Sequence, residues 1–578
     1  MKGGGEVGGE LDTRGAPGGR PPGLALPVLI AGAGPVGLTT ALLLANWGVP
    51  TTVLEAAPGQ VDIGSRAICF QRDVLDILDR IGCAAAIVDE GVTWTTGRTF
   101  YREHELFSVT FEDHGNDSFP PWINISQDSV ERYLLAKASA RPWIKLRFGH
   151  RVSAIKDHGD HVEVHAQTDA GPSTFTCDYL IGADGAQSMV RRLLDISFDG
   201  KSYPDQFLIC DIRADLPFPR ERRFYFDPAW NPGRQVLVHQ CPDGVWRIDW
   251  QVPADFDLTA ENTSGGLDRR ISQVTGGEPY ELVWASAYRF AERVAGTFSQ
   301  GRVYLAGDAA HVYAPFGARG LNSGIQDAEN LAWKLAYTIN GWSPPTRQQP
   351  QGAHACAITT ARGPCGDRPA LLDTYHVERS AAARENLLVT SATMDFLVPQ
   401  TDERRRWRTE VLDRAVTDPG ARKLIDSGKL AEPFWYPASP LTTQGQDPAG
   451  IPQEPGAHRP PRPGVLCPDG PALAYGKPTR LRKFFGQKIV ILTAAAETKS
   501  AASEVAANAI AAPVDVYALT ELDVSGELRR SLDAKSTSVH IIRPDGHLAA
   551  VLPRFDPAEL AAALKRMTGR PAAPAAPS

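Results

Sequence analysis

Between Pro27 and Glu55 a strand, a glycine-rich turn, a helix and a second strand follow one another within about 30 residues, and no other stretch constrains the fold as strongly. Val28, Leu29, Ile30 and Ala31 form a short apolar run that enters Gly32, Gly34 and Gly37. Leu38, Leu42, Leu43 and Ala45 then recur at helical spacing as far as Gly48, and Thr51 to Leu54 make a second strand ending on Glu55. Order and length are those of a βαβ unit.

In that setting the three glycines have separate duties. The first permits the tight turn, the second lets backbone approach a pyrophosphate, and the third packs helix on strand, with the helix N-terminus facing the phosphates. Glu55, at the end of the second strand, is placed to accept from both ribose hydroxyls. The same spacing occurs at Gly3, Gly5 and Gly8, but no strand precedes it and no helix follows. That match is chance, whereas Gly32 to Glu55 is read as a dinucleotide site.

The chain has 578 residues, enough for about three to five domains. Hydrophobic residues at 43% and charged residues at 22% exclude global disorder, and a net charge of −7 argues against non-specific nucleic-acid binding. Its eight cysteines, at 69, 83, 177, 210, 241, 356, 365 and 467, form no CxxC, which removes the zinc-ribbon and dithiol-redox signatures. The Gly- and Pro-rich start lacks the apolar stretch of a signal peptide, and the apolar run from Thr39 to Ala45 is too short to span a bilayer. The expectation is a cytoplasmic protein without membrane or nucleic-acid partners.

Alternation of apolar and polar positions from Ser153 to Val164 and from Phe207 to Gln251 predicts antiparallel strands. A strand at Arg302 to Ala306 precedes a long helix from Leu321 to about Ile339, and a helical tract runs from Leu371 to Leu430. Beyond a Pro- and Gly-rich connection, strands at 488–493, 515–518 and 538–544 alternate with helices. The expected boundaries are a flexible tail at 1–26 and the first part of the nucleotide-binding domain at 27–200, with 92–125 partly on the substrate side. A sheet domain at 201–292 follows, then the second part and helical tract at 293–436, a linker at 437–463 and a small α/β domain at 464–570. The aperiodic stretch 346–367 is read as a disordered surface insertion.

Two later segments bear on which dinucleotide is bound. A strand from Phe175 to Ile181 runs into Gly182, Ala183, Asp184 and Gly185. A second strand runs into Gly307, Asp308 and His311, followed by Pro315, Gly320, Leu321 and Asn322. Asp308 suits a ribityl hydroxyl, and the helix start at Gly320 to Asn322 suits the pyrimidine end of a flavin. The three motifs in this order, and above all GDAAHVYAPFGARGLNSGIQDAENLAWKLA, resemble the FAD-dependent aromatic hydroxylases of the p-hydroxybenzoate and phenol hydroxylase group, in its 3-(3-hydroxyphenyl)propionate hydroxylase-like branch. The resemblance runs from about Val28 to Leu397. The C-terminal unit resembles the thioredoxin-like domain of several members.

The resemblance implies an α/β fold: a Rossmann-like FAD-binding domain interleaved with an antiparallel-sheet substrate domain, plus a C-terminal thioredoxin-like domain without CxxC. It assigns Arg66, Gln127 and Asp184 to the cofactor, with Arg72 a weaker match. It implies FAD, NADH or NADPH as electron donor, dioxygen, a small aromatic substrate and a homo-oligomer. Substrate is expected beneath the middle sheet, beside Phe224, Phe226, Trp250, Tyr288 and Phe290. His239 or His311 is the expected substrate base, with Arg319 stabilising developing charge. No metal site or nucleophilic triad is expected, since the HxxxH of His161 and His165 lies in an alternating strand.

The activity implied is hydroxylation of a phenolic or polyketide-type ring through a flavin hydroperoxide. Baeyer–Villiger oxygenation of a polycyclic ketone is the alternative on the same fold, and an inactive flavin-binding protein is another. The WxWxIP signature of flavin halogenases is poorly matched by WRIDWQVP at Trp246 to Pro253. Deleting the chain beyond Pro463 is expected to harm solubility or assembly more than flavin binding.

Overall fold

The computed structural model describes residues 26–60, 67–111, 119–343, 371–443, 460–474 and 476–569. Arg66, the expected insertion at 346–367, nearly all of the 1–26 tail and most of the 437–463 linker lie outside the described residues.

The strand Leu26–Ala31 sits between Thr51–Leu54 and Gly171–Gly182 and runs parallel to both. Ile144–Arg147 extends this parallel sheet on one side and Val303–Leu305 on the other. Val28, Leu29 and Ile30 are wholly buried, as a continuous apolar run must be when helices cover both faces of a parallel sheet. The helices Pro35–Asn46 and Gly320–Ile339 contribute Leu38, Leu42, Ile325, Ala328 and Leu331 to the same core. The alternating stretch near Ser153 forms the strands Arg151–Asp157 and Val162–Thr168, which join this first sheet antiparallel to Gly171–Gly182.

A second eight-stranded sheet runs in the order His311–Val312, Tyr280–Ala295, Phe198–Ala214, Val245–Val252, Gln235–Gln240, Arg222–Phe226, Thr96–Tyr101 and His104–Thr110. Strand period divides its residues between two environments. The outer face carries Leu208, Cys210, Ile212, Val236, Val238, Trp246, Ile248 and Trp250 and packs on Leu267, Ile271 and Val274 of the helix Gly266–Thr275. The inner face carries Phe207, Phe224 and Phe226 and packs on Phe316 and on Met394, Phe396 and Leu397 of the helix Asp373–Leu397.

The C-terminal unit has a four-stranded sheet in the order Val514–Ala518, Ile489–Thr493, Val539–Ile542, Leu548–Leu552. The first pair is parallel and the other two are antiparallel, which is thioredoxin order. The fourth strand, LAAVL, went unread because alanine gives little strand signal. Cys467 is buried, with its thiol pushed far up by burial. Among the described residues no helix is long and apolar enough to cross a membrane, and no group of three or more His, Cys, Asp or Glu is placed to hold a metal ion.

Candidate active site

The three glycine motifs, distant in sequence, converge. Gly32 has a φ of +105°, and a Cβ there would stand 2.3 Å from the Ala183 carbonyl oxygen, so the first turn closes on the second motif. A Cβ on Gly37 would stand 2.0 Å from the Gly32 oxygen, which forces helix and turn together. A Cβ on Gly34 meets nothing within 4 Å. Open space at the middle glycine, with closed space at the other two, is what a bound pyrophosphate requires. Glu55 lies beside the turn, its carboxylate accepting from the Ala33 amide at 2.8 Å and the Ala57 amide at 2.9 Å.

The third motif packs against the first. Gly307 has a φ of +62°, and a Cβ there would meet Val36 Cγ2 at 2.8 Å. Its amide donates to Asp327 Oδ2 at 2.9 Å. Asp308 and Pro315 stay exposed beside it, and Gly320 opens the long helix with nothing within 4 Å of where its Cβ would be. Leu321 is half-buried in the first turn of that helix. Asn322 donates to the carbonyls of Cys69 at 2.9 Å and Ala318 at 2.6 Å and accepts from the Gln71 amide at 3.3 Å, which ties the helix start to the strand Cys69–Gln71. Gln127 opens the helix Gln127–Ser139, accepts from the Ala67 amide at 3.4 Å and donates to Glu131 at 2.7 Å. Arg72 donates to the Phe119 carbonyl at 2.6 Å. Asp184 acts locally, accepting from the Ser188 hydroxyl at 2.5 Å and from the amides of Met189 and Val190 at 2.7 and 3.1 Å, and so caps the helix Met189–Leu193.

Facing these motifs, the inner side of the middle sheet presents an aromatic cluster. Phe207 stacks on Phe290 at 4.3 Å between centroids, and Phe316, from the loop of the third motif, sits edge-on to both at 5.3 and 5.8 Å. Tyr288 and Phe224 join at 5.1 Å from Phe290 and 6.3 Å from Phe316, and Phe226 lies 4.8 Å from Phe224. Phe207 and Phe316 were missed in sequence; Phe316 could have been found by its place between Pro315 and Gly320.

Three expectations are corrected, and the fourth, His239, lies where it was expected. Trp250 lies on the outer face with Trp246 and Ile248, so it turns away from the aromatic cluster. His311 is wholly buried, its Nε2 2.6 Å from Asp327 Oδ2 and its ring stacked on Tyr313 at 4.8 Å, so it is walled off from any substrate. Asp327 also accepts from Arg379 Nε at 2.5 Å, and against the raising effect of burial its contacts with His311 and Arg379 hold its carboxyl below the usual range. Arg319 is buried and donates to Asn386 at 2.6 Å and to the carbonyls of Lys429 and Leu430 at 3.1 and 3.3 Å; it fastens that segment to the loop. His239 does lie on the inner face, paired across strands with Arg247. Burial, reinforced by Arg222 and Arg247, pushes its pKa down to about 3, which disfavours the protonated imidazole.

Comparison with known proteins agrees with this geometry. The family model described as "FAD binding domain" matches residues 25–350, and the model "Aromatic-ring hydroxylase, C-terminal" matches residues 460–571. A 3-(3-hydroxy-phenyl)propionate/3-hydroxycinnamic acid hydroxylase of Mycobacterium sp. (strain JLS) is 31% identical over 400 residues, which is 69% of this chain and 65% of that protein. The chain thus spans just under two thirds of that relative's length. A para-nitrophenol 4-monooxygenase of Pseudomonas sp. (strain WBC-3) is 31% identical over 55% of this chain and 80% of its own. The solved structure of the anhydrotetracycline hydroxylase OxyS from Streptomyces rimosus superposes with a TM-score of 0.67 at 26% identity, over 95% of this chain and 100% of that one. With the motif geometry, these matches identify FAD as the cofactor. The chain belongs to the FAD-binding-domain family, and its C-terminal unit matches the model of the aromatic-ring hydroxylase C-terminal region.

Proposed function

We propose that this chain is an FAD-dependent, NADH- or NADPH-consuming monooxygenase that hydroxylates an aromatic ring of phenolic or polyketide type. One observation carries the reading: Phe316, on the loop between the Gly307 and Gly320 motifs, is built into the aromatic inner face of the middle sheet with Phe207 and Phe290. A flat ring stacked on that face would lie beside the flavin end of the cofactor. The names of the relatives above, hydroxylases and a monooxygenase of hydroxyphenyl, nitrophenol and anhydrotetracycline compounds, support the same reading.

In this proposal Gly32, Gly34, Gly37 and Glu55 hold the adenosine and pyrophosphate end of FAD. Gly307, Asp308, Pro315, Gly320, Leu321 and Asn322 hold the ribityl and flavin end, with Gln127 alongside and Asp184 keeping the second turn in shape. Bound FAD supplies the redox chemistry, taking electrons from the nicotinamide and activating dioxygen. The chain's own residues exclude water, orient the ring and manage the proton of its hydroxyl. Phe224, Phe226, Tyr288 and Phe290 are the aromatic wall; a small aromatic compound and dioxygen are the partners, and the cytoplasm is the proposed location.

The test is turnover of the FAD-loaded protein with NADH or NADPH and a panel of phenols, hydroxybenzoates and polycyclic quinones under labelled dioxygen. One labelled oxygen on the ring is the expected result. A labelled ester or lactone would assign Baeyer–Villiger chemistry instead, and no turnover with any of the panel would refute the reading.

A further inference from the structure

The inner face of the middle sheet is not uniformly aromatic. Beside Phe207 and Phe290 runs a polar strip on neighbouring strands: Gln235 and His239 on one, Arg247, Asp249 and Gln251 on the next, Asp211 on a third. Cross-strand register places Asp249 opposite Leu237 on one side and Ile209 on the other, and Ile209 in turn opposite Ser286. Trp246, Ile248 and Trp250, the alternate residues of the Asp249 strand, are sealed into the outer face. The Asp249 carboxyl therefore points to the side on which Phe207 meets the flavin-end loop.

Asp249 is the anomaly of this strip. Arg247, its neighbour two residues away, is held by both oxygens of Asp211, at 2.8 and 2.7 Å, so its charge is already matched. Asp249 Oδ1 is closed to solvent and has no hydrogen-bond partner. Yet the residue as a whole is half-buried, as are Ser286 and Tyr288 across the strip, so the rest of the carboxyl group is not sealed into the sheet. A carboxylate oxygen closed to water and left unmatched costs folding free energy, and unmatched polar groups of this kind belong where a ligand completes them. Gln235, with neither side-chain atom partnered, Gln251 Oε1 and His239 Nδ1 are unpartnered along the same strip.

We propose that Asp249 is the group that accepts the proton of a hydroxyl on the bound aromatic ring. The assignment rests on the monooxygenase reading above and replaces the two histidines as the base. The step balances without a co-reactant: the substrate O–H bond breaks, its proton passes to the Asp249 carboxylate, and the electron pair stays on oxygen as phenolate. A phenolate is a far richer target for electrophilic oxygen than a phenol. The charged and titratable groups around the carboxyl are Arg247 on its own strand, Asp211 on the adjacent strand, His239 and Cys241 near the other edge, Cys210 and, further along, Arg222. Burial raises the Asp249 pKa to about 7, with Asp211 adding to the rise and Arg247 opposing it. A base near neutrality is suited to abstracting this proton while remaining largely ionised in slightly alkaline solution.

The experiment compares the holoenzyme with Asp249→Asn and Asp249→Glu, using phenol and 4-nitrophenol, the second being largely ionised already in mild alkali. The wild-type kcat/KM for phenol is expected to rise with pH through one inflection near neutrality. Asp249→Asn should lose that inflection and about 10²–10⁴-fold of the rate with phenol, much less with 4-nitrophenol, and Asp249→Glu should restore part of it. Difference infrared spectra on adding phenol to oxidised holoenzyme should show a new protonated-carboxyl band in wild type that Asp249→Asn lacks. Hydroxylation that keeps its pH inflection in Asp249→Asn, with the infrared band intact, would overturn the assignment and leave the monooxygenase reading standing. A wild-type protein that turns over none of the phenols, hydroxybenzoates and polycyclic quinones would overturn both.

Discussion

Arg543 of the C-terminal unit donates to both carboxylate oxygens of Glu378 on the helix Asp373–Leu397, at 2.6 and 2.9 Å, and both side chains are sealed from solvent. Lys334, on the helix that begins at the third cofactor motif, reaches the same carboxylate at 2.7 Å. Arg379, the next residue after Glu378, holds Asp327, which in turn holds the Gly307 amide. The C-terminal unit is therefore wired into the flavin-binding core, and removing it takes away one of the two cations that hold Glu378. Arg543→Ala should cost about 3–5 kcal/mol, because Arg543 also holds the buried Asp545 at 2.5 Å, and without it two buried carboxylates are left to the single charge of Lys334. Arg543→Met with Glu378→Gln should recover part of the loss. Against the raising effect of burial, Arg543 holds Glu378 and Asp545 well below the ordinary carboxylate range, so their contribution is full above about pH 5 and is lost as pH falls toward their folded values. Chemical denaturation of the single and double variants across that window checks both points. Truncation after Pro463 should lower flavin content as well as solubility, a stronger effect than the sequence alone implied.

The cofactor turn separates space from fold. Gly34→Ala adds a methyl into open space, so the apo protein should keep its stability while FAD binding weakens by tenfold or more, about 1.4 kcal/mol. Gly37→Ala drives a Cβ into the Gly32 carbonyl and should lower stability and flavin content together. Thermal melts of apo protein beside FAD titrations distinguish the two. Equal loss of stability in both variants would count against the middle glycine's role.

Asp308 is exposed at the end of the Gly307 turn, so its replacement leaves no cavity in the core. Asp308→Ala should nevertheless give colourless or weakly flavinated protein, since a hydrogen bond to a charged acceptor is worth about 1.5–3 kcal/mol. Full FAD occupancy of this variant at low micromolar concentration would remove Asp308 from the proposed site.

The parts legible in sequence were those with a strong period. The strand Leu26–Ala31, the helix Pro35–Asn46 and the helix Gly320–Ile339 were read from apolar spacing and glycine placement. What period alone leaves open is which face of a strand is turned inward. Trp246, Ile248 and Trp250 alternate with Arg247, Asp249 and Gln251, and hydrophobicity favours the first set as the interior side. Here the first set packs on the helix Gly266–Thr275, and the second shares its face with Phe207, which packs on Phe316 of the flavin-end loop. Asp249 was overlooked because a carboxylate in an alternating strand usually marks the solvent side. The Arg543–Glu378 pair was out of reach for another reason: 165 residues separate its partners, and neither carries a motif.

The two faces make opposite predictions for two aromatic residues. Trp250→Phe keeps a flat apolar ring on the outer face, so it should cost under about 1.5 kcal/mol and leave substrate preference unchanged. Phe290→Ala opens the stack with Phe207 and Phe316 on the inner face and should cost about 3–5 kcal/mol while raising KM for the larger aromatic substrates. Substrate profiling of both variants decides the matter, and a changed preference in Trp250→Phe alone would reverse the assignment of faces.

His239 offers the sharpest pH test of the site, because it lies on the inner face and carries the residue type most often used as a base. Burial lowers its pKa to about 3, and Arg222 and Arg247 push in the same direction. A histidine with a lowered folded pKa binds fewer protons than its unfolded counterpart between about pH 3 and 6.5, so it lowers stability as pH falls through that range. Between pH 6 and 9 it is neutral throughout and contributes no inflection to a rate profile. His239→Gln should therefore leave the pH at half-maximal kcat/KM in place, with any loss of rate uniform across that range. Removing the buried histidine should also make the protein less sensitive to mild acid, visible as a flatter dependence of unfolding midpoint on pH between about 4 and 6. If His239→Gln instead abolishes an inflection near neutrality, the histidine is the base and the physical reading of its surroundings is wrong.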